Sequence, residues 1–148
     1  MISVIASRTL FLFFILFCSL ASADSDFIGT IKAVQGTVII QKASGKYDAE
    51  LRAKIYEGDT IESKEDGNIA LLFVDGTQLS IGPNSHMIIN RYLFSPKQKN
   101  YAFDVMLEKG SAIYTSGRLS KLSPESVEIQ TPQATIGVRG TKFLVEVD

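Results

Sequence analysis

Two short alternations lie back to back near the end of the chain, and they run on opposite parity. Ala134, Ile136 and Val138 take even positions, whereas Phe143, Val145 and Val147 take odd ones. Strict alternation predicts half-buried strands. A one-residue slip turns the buried face outward, so the change of parity predicts a bulge or corner, and Gly140 sits where it must fall. Pro132 has no N–H to give to a ladder and fits the first residue of a strand or an edge.

The same reading extends over the rest of the chain. Segments 28–34 and 37–42 flank Gln35-Gly36, and segments 69–74 and 77–81 flank Asp75-Gly76. Asp-Gly is a strong hairpin signal because both residues tolerate the positive φ of a primed turn. Further strands are predicted at 85–93, 101–107, 111–115 and 126–131. Segment 47–54 fits a short helical turn, but no stretch sustains a 3.6-residue period. The fold class is therefore all-β: a compact β-sandwich or a short irregular β-coil of roughly ten short strands joined by glycine turns.

A small motif recurs where strands begin. A polar residue, a glycine and then Thr, Ser or Asp stand at Gln35-Gly36-Thr37, Glu57-Gly58-Asp59, Asp75-Gly76-Thr77, Lys109-Gly110-Ser111 and Arg139-Gly140-Thr141. Glycine permits the tight turn, and the hydroxyl or carboxylate bonds nearby amides. The spacing between these glycines is uneven, which excludes a fixed-period solenoid. Arg139 is read as a corner guanidinium that pairs with a carboxylate or caps backbone carbonyls.

The tail pattern TPxAxIxVRGTxFxV, from Thr131 to Val145, resembles the closing motif of the FecR domain, an extracytoplasmic all-β module. Val34-Gln35-Gly36-Thr37-Val38 is similar to the family's opening strand pair, and Glu57-Gly58-Asp59-Thr60-Ile61 to one of its turns. The run from Ala70 to Leu79 resembles its central hairpin, and Leu107 to Ala112 a later strand start. The ordered set covers about residues 30 to 147. The resemblance implies an extracytoplasmic sensing or protein-interaction module. The best-known relatives carry a cytoplasmic helical region and a membrane helix ahead of this domain. Here an export signal opens the chain, which predicts a standalone exported module rather than a transmembrane regulator.

That signal is legible on its own. Arg8 precedes an apolar run from Leu10 to Leu20, and Ala21-Ser22-Ala23 follows as a small-residue cleavage site. This is the layout of a secretory signal peptide over residues 1–23. The apolar core is about 11 residues, short of the roughly 20 that a spanning helix needs. Cleavage leaves residues 24–148 as one FecR-like domain, periplasmic or secreted, with no membrane span. Phe17 before Cys18 argues against lipidation, and the mature chain then holds no cysteine, which removes disulfides and thiol chemistry.

Charge and chemistry narrow the function by exclusion. Without Arg8, 14 basic residues stand against 16 acidic ones, a net charge of −2 scattered along the chain. Nothing in this pattern points to nucleic acid. His86 is the sole histidine and is read as a strand or turn residue with an ordinary hydrogen bond. The acidic turns lack a calcium-loop spacing, and Val138-Arg139-Gly140-Thr141 lacks the lysine of a phosphate loop. No catalytic, cofactor-binding or metal-ligating residue is predicted, so the expectation is a non-enzyme.

Two polar, mildly basic connections remain as candidate contact loops: 94–100 with Lys97 and Lys99, and 116–125 with Arg118 and Lys121. The expected partner is another envelope protein, docked through these loops or through exposed strand edges. The alternative is a glycan or cell-wall ligand stacked on exposed faces of Tyr47, Tyr56, Tyr92, Tyr101 or Tyr114.

Overall fold

The computed structural model describes residues 26–148; the predicted signal segment 1–23, with Cys18, lies outside the described residues. Twelve strands follow one another with one short helix: β1 (Gly29–Gln35), β2 (Val38–Lys42), β3 (Gly45–Asp48), β4 (Lys54–Ile55), β5 (Thr60–Ser63), β6 (Asn68–Phe73), β7 (Gln78–Ile81), β8 (His86–Ser95), β9 (Asn100–Thr115), α1 (Arg118–Leu122), β10 (Val127–Gln130), β11 (Thr135–Gly137) and β12 (Lys142–Val147). The fold is all-β, and none of its described helices is long and apolar enough to cross a membrane.

Most strands hydrogen-bond along one path, β3-β2-β5-β8-β9-β7-β6-β1-β4. The path curls into a half-barrel rather than splitting into the two facing layers of a sandwich. All pairings are antiparallel except that β10 runs parallel to β9, Val127 opposite Phe103. Curling buries one face of each strand. Ile31, Ile61, Leu71, Leu79, Ile89 and Val105 meet inside, each at most 1% exposed. A chain of aromatic contacts crosses this core. Tyr92 stacks on Phe73 at 5.1 Å, Phe103 meets both Phe73 and Tyr114, and Tyr114 stacks on Phe143 of β12 at 5.2 Å. Aromatic pairs at such separations add to the area they bury.

Strand β9 holds the architecture together. Its first half pairs with β8, and its second half lies between β7 and β12. The buried residues are Phe103, Val105 and Leu107 on odd positions, then Ala112 and Tyr114 on even ones. The sequence pattern predicts two strands broken at Lys109-Gly110; the structure has one strand whose parity flips at a bulge there, Gly110 taking φ +92°. A bulge of this kind twists and bends a strand without ending it.

Other expectations shift for local reasons. Segment 47–54 is no helical turn: Tyr47 and Asp48 belong to β3, and Arg52 turns the chain with φ +67°. The 94–100 connection shrinks to a turn at residues 96–99, because Phe94 and Tyr101 pair across the β8–β9 hairpin. The 116–125 connection contains α1. Gly140 takes φ +138° between β11 and β12, at the corner marked by the parity change.

Candidate functional site

The two basic connections meet. Phe94 of β8 and Tyr101 of β9 are cross-strand partners, their rings 5.9 Å apart and tilted by 46°. Arg118, the first residue of α1, lays its guanidinium over the Phe94 ring at 5.2 Å. A cation on an aromatic face gains from the ring quadrupole while its N–H fork stays free for a planar anion. Below it opens a cleft of about 580 Å³, lined by Pro96, Lys99 and Tyr101 on the hairpin side and by Arg118, Leu122, Ser123 and Glu125 on the other.

What holds α1 there is Asp75, 1% exposed in the turn between β6 and β7. Its carboxylate accepts the Tyr92 hydroxyl at 2.8 Å, the Thr77 hydroxyl at 2.6 Å and the Leu119 N–H at 3.0 Å. Its carbonyl accepts the Arg118 N–H at 2.9 Å. Gly117 is obligatory just before the helix, since a Cβ there would lie 2.2 Å from Thr77 N. The Asp-Gly turn thus carries a buried acceptor that pins a helix more than forty residues away in the chain.

Burial pushes the Tyr92 phenol well above its ordinary range, and its hydrogen bond to the Asp75 carboxylate adds to the shift. Burial also pushes Tyr114 up. Since the folded state holds both phenols neutral, the stability they contribute is complete below about pH 10 and falls as pH rises, when only the unfolded chain ionises freely. Absorbance titration at alkaline pH is expected to show these two tyrosines ionising together with loss of far-UV circular dichroism. Full ionisation of every tyrosine with the fold intact would contradict the buried placement.

The cleft is lopsided in charge. Lys97, Lys99, Arg118 and Lys121 are exposed, and none forms an ion pair among the described residues. Glu125 is the acid on the wall, and a hydrogen bond from Ser123 holds its carboxyl below the usual carboxylate range. Lys42 shows the contrasting case. It pairs with the buried Asp59 at 2.7 Å and lies over Tyr56 at 4.6 Å, so that cation is already used inside the fold.

Of the four predicted contact cations, the structure brings Lys99 and Arg118 into the cleft wall, while Lys97 and Lys121 stay beside it on the same turn and helix. The tyrosines do not gather: Tyr92 and Tyr114 are core, Tyr47 is exposed on β3, and Tyr101 alone reaches the cleft. His86 opens β8 with Nδ1 2.7 Å from Glu108 Oε2, a close approach that lacks the geometry of a hydrogen bond. Arg139 is exposed, with no side-chain hydrogen bond or ion pair among the described residues, in place of the corner pairing expected of it. Gly36 and Gly76 take positive φ in their turns, and Gly58 does so before Asp59. Thr141 accepts the Ser116 N–H through its carbonyl at 2.8 Å. Phe94, Leu122 and the Asp75 anchor carry no local signal, because each depends on a contact between distant segments.

Comparison with curated proteins finds none that matches. A solved structure described as a cell surface anchoring domain aligns at 32% identity over 41% of this chain and 82% of its own length, with a TM-score of 0.39. A family model described as FecR protein matches residues 59–148, more than half of the chain. The matched span takes in the Asp75 anchor, the hairpin and helix that form the cleft, and the terminal strand β12. On that match the chain belongs to the FecR family.

Proposed function

We propose that this protein is an exported, non-enzymatic interaction module of the cell envelope, and that its cleft receives an acidic segment of a partner protein. Residues 1–23 act as the cleaved export signal and residues 24–148 as the working domain. Membership of the FecR family supports a sensing role in the envelope.

One observation carries the choice of ligand: Arg118 sits on Phe94 with its fork unpaired, beside Lys99 and an exposed Leu122. Carboxylates satisfy the cations bidentately, and an apolar side chain of the same segment covers Leu122. A sugar would find Tyr101 as the sole aromatic ring to stack on, because the Phe94 face already carries the guanidinium, so the cations outweigh the aromatic surface as ligand contacts.

A photocrosslinking residue placed at Leu122 of the exported protein tests the reading in its own envelope. One protein is expected to be captured there, and not from Tyr47 on the far strand β3. Arg118→Glu should reduce that capture at least tenfold, because the exchange sets like charges against the ligand. It leaves the backbone bond to Asp75 in place, so the melting temperature should hold within a few degrees, as for most exposed substitutions. Capture of polysaccharide in place of protein, or indifference to Arg118→Glu, would overturn the proposal.

A further inference from the structure

Strand β12 leaves one edge open. It pairs with β9 alone, from Lys142 opposite Thr115 to Val147 opposite Gly110. Which backbone groups face β9 is fixed by neighbouring bonds. Ser116 donates its N–H to the Thr141 carbonyl at 2.8 Å, one step outside that ladder. Hydrogen-bonded and non-bonded pairs alternate in an antiparallel ladder. Phe143, Val145 and Val147 therefore exchange bonds with β9. On the other side of β9, Gly82 donates to the Ser111 carbonyl at 3.0 Å, which gives the same phase. Lys142, Leu144 and Glu146 thus turn their N–H and C=O groups outward, and no described residue takes them.

The residues on that edge read as their own complement. We infer that two copies of this chain pair antiparallel through β12, about a two-fold axis at Leu144. In that register Leu144 faces its equivalent, Lys142 faces Glu146 of the second copy, and the same pair repeats across the axis. Each of these positions presents outward-facing backbone groups, so every pair exchanges hydrogen bonds. The side chains of Lys142, Leu144 and Glu146 share one face and are all exposed, Leu144 at 56%. Directly opposed residues hold their Cβ atoms about 5 Å apart, close enough for both ion pairs and for the central leucine contact. Phe143 meets Val145 on the inner face, which carries the core across the junction.

Other registers lose this match. Sliding to the next one that keeps the hydrogen-bonding phase sets Leu144 against Lys142 or against Glu146. The isologous arrangement is the commonest way for a chain to close its own symmetry. It also removes the unpaired edge, a liability that folds otherwise guard with charge. Leu144 rims a groove of about 540 Å³ floored by Ala70, Ser80 and Ile113, and the two-fold sets the two grooves side by side.

Sedimentation equilibrium on the protein expressed from the full chain tests the dimer. The wild type is expected to dimerise. Lys142→Glu sets carboxylates face to face at both ends, and Glu146→Lys does the same with ammonium groups; each should weaken the dimer roughly tenfold or more. The double exchange Lys142→Glu with Glu146→Lys restores opposite charges and should recover wild-type dimerisation. Leu144→Pro removes an outward N–H and spares the β9 ladder, so it should give a folded monomer by circular dichroism. A wild type that stays monomeric up to about 1 mM would overturn the inference and leave the charges as edge guards. So would a dimer indifferent to Lys142→Glu, Glu146→Lys and Leu144→Pro.

Discussion

Replacing Asp75 by alanine is expected to lower unfolding stability by roughly 3 to 5 kcal/mol, a large part of the 5 to 15 typical of a domain. The carboxylate accepts the Tyr92 and Thr77 hydroxyls and the Leu119 amide in a site with almost no solvent access. Alanine strands these donors and the Thr77 N–H, which reaches the same carboxylate at 3.3 Å, each at a penalty of about 1 to 3 kcal/mol, while relief of the buried charge offsets part of the sum. Asp75→Asn keeps one acceptor oxygen but turns an NH₂ group toward a neighbouring donor, so it should fall between. Tyr92→Phe removes a single hydroxyl and should cost about 1 to 2 kcal/mol. Beyond stability, the alanine variant frees the first turn of α1 and with it the position of Arg118 over Phe94. Urea denaturation gives the first quantity, and hydrogen exchange at the Leu119 amide gives the second. A loss under about 1 kcal/mol with Leu119 still protected would rule out the anchoring role.

How much of this was legible in the sequence depends on the range of each interaction. Alternation placed most strands within a residue or two, because the side-chain period of two is a local property of the pleat. The Gly140 corner and the hairpin at Asp75-Gly76 are readable for the same reason, turn chemistry being local, although that hairpin's connection spans residues 74–77 and only Gly76 takes the positive φ expected of both residues. Strand β9 reads as two in the sequence, since the flip from odd to even burial at Gly110 imitates a strand end. Helix α1, five residues long, is too short to show a period at all. The cleft was visible only as two basic segments. That Lys99 and Arg118 line one cleft, and that Lys97 and Lys121 do not, follows from the Phe94–Tyr101 pairing and the Asp75 tether, which join residues far apart in the chain. The Lys42–Asp59 clamp leaves no mark in the sequence because neither spacing nor composition separates a paired lysine from a free one.

Gly110→Ala should be among the most damaging single substitutions in the chain, with a loss of about 3 to 5 kcal/mol or no recoverable folded protein. Two effects add. The backbone sits at φ +92°, where a Cβ is disfavoured by about 1 to 2 kcal/mol. The new methyl would also lie 2.1 Å from Ser85 Oγ and 2.5 Å from Ser85 Cα. Ser85 is unable to give way. Its N–H is held by the Ser63 hydroxyl at 2.9 Å, its carbonyl accepts the Ser63 N–H at 3.0 Å, and its hydroxyl accepts the Ser111 N–H at 3.0 Å. Gly76→Ala provides the control: φ is +88°, yet nothing lies within 4 Å of the added carbon, so conformational strain acts alone at about 1 to 2 kcal/mol. Measured side by side in denaturant, the difference between the two variants isolates the clash with Ser85. If Gly110→Ala cost no more than Gly76→Ala, the tight corner of β9 against Ser85 would not exist as described. The corner matters beyond its own residues, because the bulge turns β9 from its partner β8 toward β7 and β12. Without that turn, Tyr114 would not reach Phe143, β12 would lose the strand it pairs with, and the edge carrying Lys142, Leu144 and Glu146 would have no fixed direction.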